Sequence, residues 1–293
     1  MFTNTIIENN MNTNTNNMIT NKYKIIDKIK EGKFGTVFKC QHTRTNELVA
    51  IKFEPKDYVI KTLKNEAKVY QYLGKLDGFP QLKFFGTTED NTYLVIDLLG
   101  SSLSELISYY KAFSLKTVLL LGIQIIQRIQ SLHERHLLHR DIKTDNFLFG
   151  LGRVTNKLYL VDFGFTKRFN YDGKHIPENR ETKLIGSPNF VSLNIHNGIE
   201  PSRRDDLESC AYIILNMLFG KLEWFNKKLT DMHLLKYNII NIEEVPVFMK
   251  KILYYIRNMQ FDEPPDYAYI TDLMVKEFIS NNYTNDGKYD WTK

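Results

Sequence analysis

Two groups of polar residues in the middle of the chain have the types and the spacing needed to transfer a phosphoryl group. The first runs from His139 to Asn146 and reads His-Arg-Asp-Ile-Lys-Thr-Asp-Asn, and Asp162-Phe-Gly164 follows sixteen residues later. Phosphoryl transfer requires a base near the acceptor hydroxyl, cations near the phosphates and oxygen ligands for a metal ion. The residues expected in these roles are Asp141 as the base, Lys143 at the transferred phosphate, and Asn146 and Asp162 as ligands of Mg²⁺.

The ordinary alternative for this stretch is a charged surface turn. Such a turn accounts for Lys143 alone. It does not account for the ordered pair of Asp141 and Asn146 between two apolar flanks, Leu137–Leu138 and Phe147–Phe149. Because this many residues match the phosphoryl-transfer pattern at fixed spacing, the sequence favours a catalytic loop over a charged surface turn.

A glycine-containing segment near the N-terminus is the candidate cover for the phosphates. Glycine lets backbone N–H groups approach phosphate oxygens, although Gly-x-x-Gly alone is more typical of an ordinary β-turn. Lys30 occupies the first glycine position of the usual Gly-x-Gly-x-x-Gly pattern, where it would stiffen the loop or add a cation near the nucleotide. The residues expected to cover the phosphates are Lys30, Glu31, Gly32, Lys33, Phe34, Gly35 and Thr36.

A lysine with apolar neighbours follows in Val49-Ala-Ile-Lys52. A lone strand lysine is usually a solvated surface residue. Glu66 favours the functional interpretation, because it shares a helical face with Leu63 and Tyr70 in the next predicted element. We expect Lys52 to bind the α- and β-phosphates and to pair with Glu66.

These residues require strands before them and helices around them. Residues 23–29, 35–42, 47–53, 81–86 and 92–98 have the alternation of strands, and residues 61–73 have helical spacing. Ser114 is placed to cap a helix that ends near His133. Residues 205–219 are apolar nearly all round, as in a buried helix, and residues 246–259 and 269–280 are amphipathic. The pattern predicts an α+β fold with a small five-stranded lobe and a larger, mainly helical lobe.

Bulk composition excludes several classes of protein. The 293 residues are 43% hydrophobic, with 39 basic against 34 acidic residues, so the net charge of +5 is dispersed and does not predict nucleic-acid binding. Cys40 and Cys210 form no Cys-x-x-Cys pair, which argues against a zinc site and favours a reducing, intracellular location, in the cytoplasm or nucleus. Without a membrane-length apolar run or a secretory signal, we expect no membrane attachment. Residues 1–22, rich in Asn and Thr, are expected to be a disordered leader.

With these motifs in place, the chain resembles the casein kinase I family of serine/threonine protein kinases. The resemblance is carried by His139–Phe147, Tyr159-Leu-Val-Asp-Phe-Gly164, His196-Asn-Gly-Ile-Glu200, Ser202-Arg-Arg-Asp-Asp-Leu-Glu-Ser209 and Phe261-Asp-Glu-Pro-Pro-Asp-Tyr267. It implies a bilobal protein kinase fold over residues 23–293, with a small lobe of about 23–98 and a large lobe of about 99–293. It also implies ATP and Mg²⁺ as cofactors, protein substrates that are acidic in character, and a monomer.

The resemblance further assigns individual residues. Ile29 and Val37 would cover the adenine, Ala50 would pack on it, Ile96 would be the gatekeeper, and Asp97 to Leu99 would form the hinge. Asp206 would support the backbone of His139 and Arg140, and Ser187 would bridge Asp141 and Lys143. Relatives bind a phosphate already on the substrate with a basic residue where this chain has Asn189, so primed specificity is in question. Arg180, Lys183, Arg203 and Arg204 would attract acidic substrates or form a solvated face.

Two alternatives to an active kinase stay open at this stage. Lys30 and the altered segment around Ser187-Pro-Asn189 are compatible with a pseudokinase or scaffold. A nucleic-acid-binding module would have to show steeply salt-dependent binding to DNA or RNA. The complete ordered set of Lys52, Glu66, Asp141, Lys143, Asn146 and Asp162 favours the active enzyme.

Overall fold

The chain folds into two units. The computed structural model describes residues 18–32 and 35–292. The first unit comprises Lys83–Leu98 and the described residues before Thr62, and the second comprises Thr62–Leu82 and the described residues from Leu99 onward. Strands dominate the first unit and helices the second, which confirms the predicted α+β class.

The first unit is built on one six-stranded sheet with the order β1-β2-β3-β4-β6-β5. Val49 and Ile51 point into an apolar cluster with Cys40, Tyr93 and Val95. Because side chains alternate along a strand, Ala50 and Lys52 lie on the opposite face. The strands are β1 (Met18–Ile19), β2 (Tyr23–Gly32), β3 (Gly35–His42), β4 (Leu48–Pro55), β5 (Leu82–Thr87) and β6 (Asn91–Asp97).

The sheet begins earlier than the sequence predicted. All five expected strands are present, and the short strand β1 pairs with Tyr23 and Lys24 of β2. Ile19 is only 6% exposed and packs in the apolar cluster, so burial of its side chain orders residues that were assigned to the leader. Residues 1–17 of the predicted leader, and Lys33 and Phe34 of the glycine loop, lie outside the described residues.

Helices are the main regular structure of the second unit. The expected helices at 61–73, 114–133, 205–219, 246–259 and 269–280 are all confirmed, and three further helices occur. In chain order they are α1 (Leu63–Leu73), α2 (Leu103–Tyr110), α3 (Leu115–His133), α4 (Leu193–His196), α5 (Arg203–Phe219), α6 (Leu229–Asn238), α7 (Val247–Asn258) and α8 (Tyr267–Ser280). Short strands lie between α3 and α4: β7 (Leu137–Leu138), β8 (Phe147–Phe149), β9 (Leu158–Leu160), β10 (Lys167–Arg168), β11 (Asn170–Tyr171) and β12 (Lys174–His175).

Helices α3 and α5 form the centre of this unit. The Ser114 hydroxyl accepts a hydrogen bond from the Thr117 amide at the start of α3, as predicted, and such a cap stabilises a helix by about 1 kcal/mol. Helix α5 is buried from Asp205 to Met217, so its apolar residues are not confined to one face. Helix α3 packs against α5 and α8, and α7 packs against α5. Among the described residues, no helix is both long and apolar enough to cross a membrane.

Helix α1 belongs to the second unit rather than to the small lobe in which the sequence placed it. The Asn65 amide nitrogen donates to the carbonyl oxygens of Phe163, Gly164 and Thr166 at 3.3, 3.1 and 3.0 Å. The ring of Tyr70 packs edge-on against Phe163, with the ring centroids 4.9 Å apart. These contacts attach α1 to the segment that carries Asp162.

Candidate active site

Asp141 lies at the centre of a hydrogen-bond network on the loop after β7. The residue is only 4% exposed. Its Oδ1 accepts a hydrogen bond from the Ser187 hydroxyl at 2.8 Å, and its Oδ2 accepts one from the Lys143 ammonium at 2.5 Å. Since each carboxylate oxygen has two lone pairs, both can accept a further hydrogen bond. The arrangement therefore suits an oriented carboxylate that accepts a proton from a nearby hydroxyl.

The residues expected to bind magnesium have the chemistry that this ion prefers. The Asn146 amide nitrogen donates to the Asp141 carbonyl oxygen at 2.9 Å, which turns the amide oxygen away from that carbonyl. One amide oxygen and the Asp162 carboxylate would leave most of the coordination sphere to phosphate and water, as is usual for Mg²⁺. In residues 18–32 and 35–292, no group of three or more His, Cys, Asp or Glu side chains is placed to hold a metal ion. The donor set therefore fits a metal shared with a phosphate ligand rather than a cage made by the protein alone.

A carboxylate on α5 holds the backbone that precedes Asp141. Asp206 accepts hydrogen bonds from the backbone amides of His139 at 2.7 Å and Arg140 at 3.0 Å. Arg140 has a φ of 66°, a left-handed conformation that is unfavourable for most side chains. Burial would raise the pKa of the Asp206 carboxyl, but the hydrogen bond with His133, the charge interactions with His133 and His139 and the hydrogen bond from the Arg140 amide outweigh it and lower that pKa. An ionised Asp206 therefore stabilises the strained loop.

Asp162-Phe-Gly164 is fixed by aromatic packing. Phe163 is fully buried and contacts the rings of Tyr70, Phe79 and His139. Asp162 has a φ of 68°, and its amide donates to the Tyr70 hydroxyl at 3.4 Å. Burial, followed by the nearby carboxylate of Glu66, raises the pKa of the Tyr70 hydroxyl. Tyr70 therefore stays protonated beside Asp162.

The chain segment 187–191 is anchored from behind as well as through Ser187. The Trp224 indole donates to the Asn189 carbonyl oxygen at 2.8 Å. The fully buried ammonium of Lys236 donates to the carbonyl oxygens of Pro188 and Val191, both at 2.7 Å. Segment 187–191 is thus fixed on one side to the candidate base and on the other to α6.

Arg140, the residue before the candidate base, is already engaged by groups of the chain itself. Its Nε donates to the Phe165 carbonyl oxygen at 2.7 Å. Nearby, the Lys167 ammonium pairs with Glu200 at 2.8 Å, and the Glu200 side chain is 12% exposed. Burial lowers the pKa of Arg140, and the Glu200 and Asp206 carboxylates counter part of that effect. An internal carboxylate therefore supplies negative charge beside this arginine.

In the first unit, four of the residues expected to bind the nucleotide share one face of the sheet: Val37, Ala50, Lys52 and Ile96. The strand register places Val37 and Leu94 on either side of Lys52, and Ile96 beside Ala50. Lys30 lies opposite Val37 on β2, whereas Ile29 falls at an irregularity in the register and is 50% exposed. Thr36 and Glu31 form the next pair, and Gly32 pairs with Gly35. Gly35 has a φ of 132°, and an added Cβ would lie 1.8 Å from the Phe53 carbonyl oxygen, so only glycine fits.

The hinge residues fall at the end of this sheet and the start of the next segment. Asp97 closes β6 and pairs with Lys83 at 2.8 Å. Leu99 begins the second unit and is partly buried. Glu66 is 2% exposed on α1, in the same buried stripe as Leu63 and Tyr70, as the helical spacing predicted.

Sequence reasoning missed several residues that position the site. Asn65, Trp224, Lys236 and Glu200 were not assigned any role. Each of them bonds to carbonyl oxygens, or pairs with a charged group, that lies far away in the sequence. The spacing of residues in the sequence therefore could not reveal their roles. Arg203 and Arg204 were expected either to attract acidic substrates or to form a solvated face. Their guanidinium groups instead cover the rings of Phe169 and Phe261 and donate to the Asp262 and Met259 carbonyl oxygens.

Comparisons with known proteins agree with this geometry. A family model described as "Protein kinase domain" matches residues 23–285. The chain is similar to Casein kinase I homolog 2 of Schizosaccharomyces pombe, with 40% identity over 287 residues. That match covers 92% of this chain and 65% of the relative, so the chain spans somewhat less than two thirds of the relative's length.

Proposed function

The chain belongs to the casein kinase I family of protein kinases, and from this premise we propose that it transfers the γ-phosphoryl group of ATP to serine and threonine hydroxyls of proteins. The single observation that carries the proposal is the network around Asp141. A buried carboxylate is oriented by Ser187 and Lys143 on a loop whose strained backbone is held by Asp206. A scaffold would not require this geometry, and nothing in the network favours that alternative.

Asp141 accepts the proton of the substrate hydroxyl in this proposal. The hydrogen bonds from Ser187 and Lys143 keep its carboxylate in one orientation, which removes the entropy cost of aligning a base. Lys143, already beside that carboxylate, contacts the transferred phosphate and offsets its negative charge. Lysine two residues after the base and the family membership together support serine and threonine as acceptors.

Binding of the nucleotide is assigned to the residues that were predicted for it from the sequence. Lys52 binds the α- and β-phosphates, and the glycine loop from Lys30 to Val37 covers them. Ala50, Ile96, Asp97 and Leu99 would surround the adenine together with Ile29. The ion pair between Lys52 and Glu66 stays a prediction, because the two residues lie in different units. Asn146 and Asp162 would hold magnesium, which neutralises phosphate charge when it is bound.

Membership of a protein kinase family implies that the substrates are proteins. We further propose that these substrates are acidic. The excess of basic residues would steer an acidic protein by long-range charge. Lys183 remains exposed for that purpose, whereas Arg180 pairs with Glu178 and Arg203 and Arg204 serve internal contacts. We also propose a monomer in an intracellular compartment, where Cys40 and Cys210, both unpaired and buried, would stay reduced.

Phosphate transfer to casein tests the proposed function. The purified chain is incubated with magnesium and radiolabelled ATP, and an Asp141→Ala variant measures the background. We expect incorporation that depends on Asp141 and on magnesium. Incorporation no higher than in the Asp141→Ala control would overturn the proposed activity.

A further inference from the structure

An open cavity of about 250 Å³ lies beside the candidate base, within the second unit. Two of its lining residues, Thr144 and Asp145, follow Asp141 on the same loop. A third, Asn189, is two residues after Ser187, which bonds to Asp141. The cavity is therefore formed in part by the two chain segments that also orient Asp141. Ile107, Phe190 and Phe225 also line the cavity.

The lining offers apolar surface and neutral polar groups to a substrate side chain. The Phe190 and Phe225 rings meet edge to face, with centroids 5.4 Å apart, and Ile107 adds an aliphatic wall. Hydroxyl and amide side chains make up most of the rest. Asp145 is the one ionisable residue among the described residues that line the cavity.

The basic residues near segment 187–191 face away from this cavity or are used within the protein. Lys236 is fully buried behind the segment, where its ammonium bonds to the Pro188 and Val191 carbonyl oxygens. Lys143 is directed to Asp141. In the part of the chain that the structure describes, no Lys or Arg lines the cavity. A phosphate or carboxylate bound there would lose water without gaining a cation, which costs free energy.

We propose that this cavity is a specificity subsite that receives a substrate residue close to the phosphorylated one and selects against negative charge at that position. The preferred residue is neutral or basic, so the substrate need not carry a phosphate before the reaction. This inference rests on the proposed kinase activity and defines its substrate class. The net positive charge attracts an acidic protein as a whole and at long range. The cavity selects only the residue that enters it, so the two preferences are independent.

Matched peptides test the subsite. One serine acceptor peptide is made in versions with Ser, phosphoserine, Asp or Lys at each position within three residues of the acceptor, and kcat/KM is measured for each. At one or more positions we expect phosphoserine and Asp to lower kcat/KM by about fivefold or more relative to Ser, because a negative charge that leaves water without meeting a cation is unfavourable. A phosphoserine peptide that is preferred by the wild-type protein at any position would overturn the proposal.

A charge added to the lining provides the second measurement. In Asn189→Arg, the ratio of kcat/KM for phosphoserine to that for Ser is expected to rise by about fivefold or more. The Asn189→Gln variant, which keeps the amide, should retain the wild-type ratio. Because each ratio is taken within one protein, a general loss of activity in the variant does not affect it. An unchanged ratio in Asn189→Arg at every position would show that substrates do not enter the cavity and would overturn the proposal.

A binding measurement separates this inference from the proposed activity. Fluorescence anisotropy of the same labelled peptides is recorded with the Asp141→Asn variant, which binds without turnover. Weaker binding of the phosphoserine peptide supports the subsite even if the wild-type protein transfers no phosphate. Tighter binding of that peptide overturns the subsite while leaving the kinase assay with casein to judge the activity.

Discussion

Asp141 illustrates how one side chain acquires a function from its surroundings. A carboxylate in a charged surface turn would rotate freely in water. Here it is buried, receives one hydrogen bond on each oxygen, and sits on a backbone held by Asp206. The candidate base is therefore oriented without any substrate, and positioning of this kind is the main contribution that a protein makes to phosphoryl transfer.

Replacement of Asp141 by asparagine should remove activity without unfolding the protein. The amide cannot accept the hydroxyl proton, so we expect kcat to fall by at least about 10²-fold, the lower end of the effect of a general base. Radiolabel transfer to casein measures the loss, and thermal unfolding checks the fold. Asp172→Asn is the matched control, since Asp172 is exposed in a turn with a φ of 51° that asparagine tolerates. Equal loss in both variants would contradict the role assigned to Asp141.

His196 should make the protein less stable in acid. Burial, with smaller effects of the Lys236 and His233 charges, lowers the pKa of the His196 imidazole to about 4. Between pH 6.5 and 4 the unfolded chain therefore binds a proton at this residue that the folded chain does not. The stabilising contribution is complete above pH 6.5 and is lost as the pH falls through this window. After solvent screening of a half-buried group, we expect a loss of about 1 to 2 kcal/mol.

Urea unfolding of His196→Gln and wild type at pH 7 and pH 4.5 measures this contribution. Glutamine keeps an acceptor for the Lys236 ammonium, which lies 3.1 Å from His196 Nε2. The pKa of Asp205 is raised to about 6 by burial, and that group acts in the opposite direction in both proteins, so its contribution cancels in the difference between them. We expect the variant to lose less stability on acidification than the wild type. Equal losses would contradict the assignment.

At the scale of elements, α6 shows what sequence patterns can and cannot predict. Helices α3 and α5 were predicted because apolar spacing or continuous apolarity matches their burial. In α6 the relation is inverted: Leu229 and Leu234 are exposed, while Lys236 is fully buried. Its burial depends on carbonyl oxygens from segment 187–191, some 45 residues away, and no local pattern encodes such partners.

The same distinction applies to the candidate site. The roles of Asp141, Lys143, Asn146 and Asp162 were predicted because residue type and spacing are specific to the chemistry. The contact of Asp206 with the loop backbone came from the family resemblance, and the hydrogen bonds to His139 and Arg140 confirm it. The side chains that hold the site by donating to carbonyl oxygens could not be predicted. Every residue has a carbonyl group, and only the fold determines which carbonyl lies within reach of which donor.

Loss of the α6 anchor should affect substrate binding more than nucleotide binding. Lys236→Met keeps much of the side-chain volume but leaves the Pro188 and Val191 carbonyl oxygens without this donor. We expect KM for a peptide substrate to rise about tenfold, with KM for ATP changed by less than about twofold, since a displaced segment weakens positioning. Steady-state kinetics with each substrate varied measures both constants.

Lys227→Met, an exposed lysine in the preceding loop, is the control for this prediction and should behave as the wild type. The buried anchor is also expected to contribute to stability, so thermal unfolding is recorded in parallel. A parallel rise of both KM values in Lys236→Met, at a temperature well below unfolding, would argue for general damage instead of local positioning.

At the scale of the whole molecule, the positive charge of Arg140 beside the candidate base is balanced by carboxylates of the second unit itself. An arginine before the catalytic base often pairs with a phosphate added to the following segment. In this chain Arg140 bonds to the Phe165 carbonyl oxygen, and Glu200 supplies a carboxylate beside it that also pairs with Lys167. The unmodified chain thus already contains negative charge where a phosphate would otherwise be needed.

Phosphatase treatment should therefore leave the activity of the protein unchanged within about twofold. Casein phosphorylation is measured before and after treatment, with mass spectrometry to confirm that phosphate has been removed. Glu200→Gln should lower activity, because Arg140 and Lys167 lose their carboxylate, whereas Glu178→Gln in an exposed pair should not. Loss of activity on dephosphorylation would show that added phosphate is required.

The hydrogen bonds between Asp206 and the loop at His139 and Arg140 also impose an order of assembly. The catalytic loop leaves a ribosome more than sixty residues before the carboxylate that holds its strained backbone. Until α5 has been synthesised and has docked, the left-handed backbone at Arg140 lacks the two hydrogen bonds to Asp206 that hold it. We therefore expect a nascent chain of this protein to become active only when its central helix is in place.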